Sequence, residues 1–287
     1  MTWQIFVFGY LVFATASFLL RRTLAQSLSE HNRLINAFFF LGTLYPVGLI
    51  IAAFSSPDLS IGWTNFIFTM LGSLAFPLVM VLAFRANRDI DAGHYTILNN
   101  IAPIVTIIAA TVLLSESLSG LQLLGAIIII LSAFLVTLPN LSGKHRSNSV
   151  GVMFALLSVV ILGLGIVFER WMLTRIDYGA YLVYGWGAQT LWMVLLAWPE
   201  RKNLNLIFAK KNFNHVIWYA LTNTFKGVFF VSALKVTTNV SLVSAASSFT
   251  AVSVVLAAYI FLKEKQWLWL KILSAIIGTI GLIILNI

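Results

Sequence analysis

Cysteine is absent from this chain, which excludes disulfide bonds, thiolate metal sites and catalytic thiols. The four histidines are scattered near the ends of apolar segments and lack i, i+4 spacing, so we expect no metal site. Only 9% of the residues are charged, whereas a soluble domain usually has about a quarter. We therefore interpret the net charge of +9 as a signal of membrane orientation rather than of nucleic-acid binding. No cofactor, metal or catalytic residue is predicted.

Long apolar runs fill most of the 287 residues, 60% of which are hydrophobic. A helix needs about 20 apolar residues to cross the hydrocarbon core and satisfy its backbone polar groups internally. Ten such segments use about 200 residues and leave short loops. The sequence thus predicts an all-α, multi-pass protein of the cell (inner) membrane, embedded in the lipid bilayer. The predicted spans are Trp3–Leu20, Leu34–Phe54, Thr64–Phe84, Tyr95–Leu114, Gly120–Leu138, Ser149–Phe168, Gly179–Trp198, Asn214–Leu234, Val240–Leu262 and Trp267–Asn286.

Basic residues are distributed unequally between the predicted loops. The loops after helices 1, 3, 5, 7 and 9 hold thirteen lysines and arginines, and those after helices 2, 4, 6 and 8 hold three. Because positively charged loops remain in the cytoplasm, this bias predicts that the odd-numbered loops are cytoplasmic and that both termini are not.

The two halves of the chain share a repeated pattern. A short acidic turn joins two apolar segments at Glu116 and again at Glu264, 148 residues later. The same offset relates Arg22 to Arg170. The pattern predicts a first repeat over 1–138, a linker over 139–148 and a second repeat over 149–287. Since five helices per half is an odd number, the repeats are predicted to be inverted, as in secondary transporters. The alternative is that any two apolar hairpins look alike.

The segment from Pro103 to Gly125 carries a resemblance to a known family. It contains the runs A-P-I-V, L-L-S-E-S-L-S and L-Q-L-L-G-A. The second half echoes them in F-L-K-E-K-Q and in Ser274, Gly278 and Gly281. The pattern resembles the EamA-type family of the drug/metabolite transporter superfamily over nearly the whole chain. Ala251 replaces the matching proline, and the first helix has Phe8-Gly9-Tyr10 where the family often has tryptophan-glycine. The resemblance implies export or exchange of small metabolites, amino acids among them, through a cavity between the halves.

Lys226 is the most informative single residue, because it lies near the middle of predicted helix 8, close to Asn223. A lysine at the bilayer centre costs about 3 kcal/mol and is expected to face the bundle interior, a cavity or an acidic partner. If it is functional, its charge favours substrates with a carboxylate or phosphate. The alternative is a structural tether to a neighbouring carbonyl.

Small polar residues occur at equivalent positions of predicted helices 4 and 9. Asn99 and Asn100 precede Pro103, which removes a backbone donor and leaves a carbonyl one turn earlier without its usual partner. The repeat places Ser247 and Ser248 at the same depth. These side chains are candidates for substrate contact, and the alternative is helix–helix packing.

Predicted helix 7 offers an aromatic wall with one amide, formed by Tyr181, Tyr184, Trp186, Gln189 and Trp192. Of these, Tyr184, Trp186 and Gln189 are the candidate substrate-binding residues. Such a wall suits a partly apolar substrate, although aromatic residues more often face lipid or pack between helices. Pro77 and Pro103 are candidate structural or gating positions.

The acidic residues do not form a catalytic pair. Glu116 and Glu264 are predicted on opposite membrane faces, where they have structural or gating roles at helix ends rather than shared acid–base chemistry. Glu169 follows predicted helix 6 and is expected to pair with the adjacent Arg170. Without an acidic residue at the centre of a span, facilitated export or exchange is favoured over proton coupling.

These features predict a secondary transporter of small organic metabolites such as amino acids or related carboxylates, acting as a monomer or a homodimer. The alternative is a membrane-embedded enzyme or translocator that acts on lipid-linked substrates, for which the acids and histidines are too scattered. A non-transporting scaffold or receptor, and a channel, are further alternatives.

Overall fold

The computed structural model describes residues 2–27, 32–89, 98–137, 149–262 and 268–286, in which all regular secondary structure is helical. We number ten membrane helices in chain order. Six of them are continuous: α1 is Trp3–Ser27, α5 is Gly120–Thr137, α6 is Ser149–Leu173, α7 is Tyr178–Ala197, α8 is Lys210–Val236 and α10 is Leu268–Leu285.

The other four helices are interrupted. Helix α2 consists of Asn32–Phe39, a π-helical turn at Phe40–Leu44, and Tyr45–Ser55. Helix α3 consists of Trp63–Gly72 and Ala75–Asp89, and α9 of Val240–Ser247 and Thr250–Leu262. Helix α4 is Ala102–Leu114, preceded by a turn at 100–101 and helical residues 98–99. Two short helices, Trp198–Asn203 and Leu204–Phe208, connect α7 to α8.

The helices are apolar enough to place this chain in a membrane. Among the described residues, four segments are long and apolar enough to cross a bilayer, and four further apolar helices are shorter. The long segments are Trp3–Leu20, Arg33–Ser55, Trp63–Ala83 and Ser149–Leu173. The prediction of an all-α, ten-helix membrane protein is confirmed.

The helix packing shows that the two five-helix repeats are related by a pseudo-two-fold axis. Helix α1 packs along α8, and its repeat equivalent α6 packs along α3, the equivalent of α8. Each of α2, α4 and α5 packs against its own equivalent, α7, α9 and α10 respectively. This arrangement is that of an inverted-repeat transporter.

The contact between α1 and α9 has a repeat-related counterpart between α6 and α4. In the first contact, the hydroxyl groups of Thr15 and Ser253 are 2.8 Å apart and hydrogen-bonded. With the 148-residue offset between the repeats, Thr15 corresponds to Gly163 and Ser253 corresponds to Val105. A Cβ atom on Gly163 would lie 2.7 Å from Val105 Cγ1, so the helices approach closely only because a glycine is present. The symmetry thus extends to individual positions, but the chemistry differs between the halves.

Helices α4 and α9 are interrupted by turns at equivalent positions within the predicted spans, and we call these turns breaks. The turn at 100–101 in α4 corresponds to the turn at 248–249 in α9. Pro103 is the second residue after the first break, and Pro77 is the third residue after the break in α3. Proline is tolerated there because the first N–H groups of a helix have no intrahelical partner.

Long-range contacts assign the loops to two faces of the molecule. We call the face with the α2–α3, α4–α5, α6–α7 and α8–α9 loops the even-loop face, and the opposite one the odd-loop face. At the odd-loop face, Arg33 at the start of α2 pairs with Glu200 after α7 at 3.5 Å. At the even-loop face, Asn239 donates a 2.9 Å hydrogen bond to the carbonyl of Ser117. Both contacts join loops that the ten-helix topology places on the same side.

The orientation of these faces is testable because the wild-type chain contains no cysteine. We expect Ser117→Cys, in the α4–α5 loop, to react with a membrane-impermeant maleimide in intact cells. Lys202→Cys, after α7, is expected to react only after permeabilisation, because basic loops stay in the cytoplasm. Both residues are exposed. The wild-type chain gives the background, and the reverse labelling pattern would invert the proposed orientation.

Candidate functional site

The site is built around Lys226, which is partly buried near the middle of α8. Its Nζ atom donates a 2.7 Å hydrogen bond to Oδ1 of Asn223, one turn earlier on the same helix. The Asn223 amide nitrogen in turn donates to the carbonyl of Tyr219 at 3.0 Å. Asn223 is buried, and its amide orients the lysine ammonium without neutralising its charge. The structure thus brings together two of the predicted substrate-binding residues.

The π-helical turn of α2 lies beside this pair and is held from both sides by threonines. The hydroxyl groups of Thr43 and Thr224 are 2.7 Å apart, which ties the turn to α8. On the other side, the hydroxyl of Thr190 on α7 donates to the Trp186 carbonyl at 2.7 Å and lies 3.4 Å from the carbonyl of Phe40. π-Helical turns occur frequently at functional sites. These threonines were not predicted as functional from the sequence. The only feature of the sequence that could have indicated them is that they are polar residues within apolar spans.

Helix α1 contributes a tyrosine that the sequence analysis also missed. The side chain of Tyr10 hydrogen-bonds to Thr250, the first residue after the break in α9. Its ring centroid lies 5.2 Å from that of Phe230, one turn beyond Lys226 on α8. Tyr10 therefore connects the lysine-bearing helix of the second half to the broken helix α9.

The three candidates on α7 contact different neighbours and do not form one wall. The Tyr184 hydroxyl donates to the Leu59 carbonyl at 3.3 Å, near the even-loop face. Trp186 is buried against Gly48, where an added Cβ would lie 2.6 Å from its ring. Gln189 is also buried, beside the hydroxyl of Tyr181. Positions 184, 186 and 189 cannot share a narrow face, because a helix has 3.6 residues per turn.

The polar residues at the breaks of α4 and α9 bind helix carbonyls. Asn100 is buried and donates to the carbonyl of Ala133 on α5 at 3.0 Å, whereas Asn99 is partly exposed. Ser247 donates to the Ser244 carbonyl at 2.7 Å, and Ser248 contacts the same carbonyl at 3.3 Å. These contacts supply partners to carbonyls near the breaks, as serine side chains do in membrane helices.

Three buried polar side chains in the first half have no hydrogen-bond partner within the protein. They are Asn36 on α2 and Thr69 and Ser73 on α3. Ser73 lies at the break of α3, ten residues from the end of that helix at the even-loop face. Lys226 is also ten residues from the even-loop end of its own helix, α8. Buried polar atoms without partners are costly and are commonly found at functional sites.

Glu116 joins the two halves at the even-loop face. Its Oε2 atom accepts hydrogen bonds from the backbone N–H groups of Val240 at 2.8 Å and Ser241 at 3.4 Å, the first residues of α9. A carboxylate is favourable at this position because the N–H groups and the helix dipole attract negative charge. Burial raises the pKa of Glu116, and the two N–H donors and the charge of Arg170 oppose this change. Glu264, its repeat equivalent, lies outside the described residues.

A cavity of about 350 Å³ adjoins Glu116 at the even-loop face. Arg170 contributes to its wall and donates a 2.9 Å hydrogen bond to the carbonyl of Leu234 on α8. The remaining lining residues come from both halves: Leu113, Leu114, Trp171, Thr174 and Thr238. Lys226 and Asn223 do not line this cavity. The cavity is therefore a vestibule at the membrane face. It is separate from the group of polar side chains that we call the central layer, which consists of Lys226, Asn223, Thr43, Thr190 and Thr224.

The environment of Glu169 corrects two expectations from the sequence. Helix α6 continues to Leu173 instead of ending at Phe168, so Glu169 lies within it. It is 2% exposed, and its Oε1 atom accepts a 2.7 Å hydrogen bond from the hydroxyl of Tyr181. The expected pairing with Arg170 is wrong, because adjacent residues on a helix point in different directions.

Comparisons with known proteins agree with this architecture. The sequence model of the EamA-like transporter family matches residues 1–138 and 149–287. No curated protein matches. Twenty-eight solved chains match. One of them, a crystal structure of a protein, has a TM-score of 0.76 and 14% identity, over 98% of this chain and 94% of that chain. At this identity the likeness shows the fold alone, whereas the family match in both halves shows that the chain belongs to the EamA-like transporter family.

Proposed function

We propose that this protein is a secondary transporter that moves small organic metabolites, amino acids or related carboxylates, across the plasma membrane by alternating access. The single observation that carries the proposal is Lys226, a cation held by an amide in the middle of a membrane helix between two inverted repeats. Intramembrane charges are costly and are functional by default.

The chemistry of the central layer supports an anionic or zwitterionic substrate. The Lys226 ammonium group provides the positive charge, and the uncharged amide oxygen of Asn223 accepts a hydrogen bond from it. A substrate carboxylate could displace that oxygen and form a charge-assisted hydrogen bond, which is roughly twice as strong as a neutral one. The buried Ser73 and Thr69 hydroxyls are polar groups without internal partners that can bind the rest of such a substrate.

The interrupted helices support movement of one half against the other. At repeat-equivalent positions, the regular i, i+4 hydrogen bonds of α4 and α9 are replaced by tighter i, i+3 bonds, such as those from Ile101 N–H to Leu98 and from Phe249 N–H to Ala246. In transporters built from inverted repeats, broken helices lie at the substrate site, and the halves rock around it. The cavity beside Glu116 and Arg170 provides an entrance between the halves at the even-loop face.

The proposal is tested by counterflow in proteoliposomes. Vesicles containing the purified protein are loaded with a pool of unlabelled amino acids and organic anions, and each labelled compound is then added outside. Saturable accumulation of one class is expected for the wild type. Correctly inserted protein that accumulates no compound would contradict the proposal and would favour a membrane enzyme or translocator acting on lipid-linked substrates.

A further inference from the structure

Glu169 is a buried carboxyl group that the transport site described above does not use. It lies in α6, four residues before the end of the helix, and is 2% exposed. Tyr181 on α7 is 1% exposed and donates the 2.7 Å hydrogen bond to Glu169 Oε1. The pair therefore lies in the protein interior, between the first two helices of the second half.

The basic groups close to Glu169 in sequence or space are directed to other acceptors. Arg170 donates to the Leu234 carbonyl and faces Glu116 across the even-loop cavity. Lys235 on α8 is exposed, and its Nζ atom lies 3.4 Å from the carbonyl of Leu173. Neither Arg170 nor Lys235 forms a salt bridge with Glu169.

Among the described residues, the helices packed against this part of α6 place no cation within salt-bridge distance of Glu169. The first piece of α3, the described part of α4 and the first piece of α9 contain no ionisable residue. On the second piece of α3, Arg85 stacks on the ring of Phe154, near the other end of α6. On α7, the hydroxyl of Tyr178 is paired with that of Ser232 at 2.9 Å.

A carboxylate in this environment is unstable, because burial of a charge without a cation is expensive. This environment therefore favours the neutral, protonated form of the carboxyl group over the carboxylate. Binding is the reversible reaction of a carboxylate with one proton to give a carboxylic acid, and Tyr181 keeps its own proton throughout. A movement that opened the interface between α6 and α7 would hydrate Glu169 and release the proton.

A line of buried polar groups connects Glu169 to the central layer. The hydroxyl of Tyr181 lies beside the amide of Gln189, two turns further along the same face of α7. The next residue, Thr190, lies beside the π-helical turn of α2 at the Phe40 carbonyl. Glu169, Tyr181 and Gln189 are thus in contact, and Gln189 is followed in α7 by the residue that contacts the π-helical turn beside Lys226.

We propose that Glu169 is a proton-binding site and that substrate movement through this protein is coupled to proton binding and release at this carboxyl group. This inference rests on the proposed transport function. It replaces the sequence-based preference for uncoupled export or exchange. Intramembrane carboxyl groups have this role in proton-coupled carriers in general.

Infrared difference spectroscopy tests proton binding without any substrate. The purified protein in lipid is titrated between about pH 5 and 9, the range over which an ordinary glutamate is fully ionised. We expect a carbonyl band of a protonated carboxyl group that is lost in Glu169→Gln and kept in Glu116→Gln. In Tyr181→Phe the band is expected to shift to higher frequency, because the carbonyl loses a hydrogen bond. Identical spectra of wild type and Glu169→Gln would overturn the proposal.

Proton movement tests the coupling. Proteoliposomes that contain a pH-sensitive dye are exposed to the pool of amino acids and organic anions, and proton uptake is measured beside counterflow. Substrate-dependent proton uptake is expected for the wild type and for Asp58→Asn, which removes an exposed carboxyl group in the α2–α3 loop. It is expected to be lost in Glu169→Gln. Counterflow without proton uptake in the wild type would overturn the coupling while leaving the transport function intact. Absence of counterflow would contradict the transport function, whereas the infrared result tests proton binding independently.

Discussion

Replacement of Lys226 by methionine is expected to reduce transport at least about tenfold, which corresponds to roughly 1.4 kcal/mol of lost substrate interaction. Methionine keeps the length and apolar stem of lysine but removes the ammonium group that donates to Asn223. The proposed substrate carboxylate then has no cation in the central layer. The measurement is the initial rate of counterflow with each labelled compound.

The same replacement is expected to leave the protein as stable as the wild type, or more stable. A lysine in the middle of a membrane helix costs about 3 kcal/mol, and this cost disappears with the charge. A lower transport rate together with an unchanged or higher free energy of unfolding would show that Lys226 is retained for function.

Lys235→Met provides the matched control. It removes a lysine from the same helix at an exposed position near the even-loop face, so we expect transport to be unchanged. Unchanged counterflow in Lys226→Met, with protein inserted normally, would contradict the assignment of Lys226 to the site. Equal losses in both variants would indicate a general requirement for charge on α8 instead.

Replacement of Gly125 by alanine is expected to have the largest effect on stability. A Cβ atom at Gly125 would lie 2.6 Å from the backbone nitrogen of Leu285 and 2.9 Å from the carbonyl oxygen of Gly281. Backbone atoms cannot rotate away as side chains do, so α5 and α10 must move apart. Overpacking of this kind costs about 1–3 kcal/mol.

Gly120→Ala is the control, because a Cβ atom at Gly120 in the first turn of α5 meets no atom within 4 Å. We expect this variant to have an unchanged or slightly higher stability, since alanine is the better helix former. Unfolding in a denaturing detergent, followed by tryptophan fluorescence, compares the two. Equal stabilities of the two variants would show that the α5–α10 contact is adaptable.

The sequence predicted the ten helices but not where each helix begins and ends. Hydropathy reports the part of a helix that lies in hydrocarbon, and α6 and α8 extend beyond it. The predicted end at Phe168 left Glu169 outside the helix and suggested a pair with Arg170. The observed continuation to Leu173 places the carboxyl group beside Tyr181, a contact between two helices that no sequence pattern indicated.

The rotation of each helix was the second property that the sequence did not determine. Tyr184, Trp186 and Gln189 were predicted to belong to one wall of a cavity, but α7 packs against α2, α3 and α6 at once. Rotation is set by packing against neighbouring helices rather than by hydrophobicity. Lys226 and Asn223 were grouped correctly because residues three apart on one helix are neighbours.

The unequal contacts Thr15–Ser253 and Gly163–Val105 mean that the two halves are not energetically interchangeable. In a transport cycle, each half would adopt the conformation that the other half has now. Thr15 would then have to occupy the close helix contact that only Gly163 now allows. Gly163 has no hydroxyl group, so the hydrogen bond between Thr15 and Ser253 would not be replaced. A hydrogen bond of about 1 kcal/mol corresponds to a population ratio of roughly five to one. The empty transporter would therefore rest mainly with one face open, and positions 15 and 163 would set that thermodynamic bias from outside the substrate site.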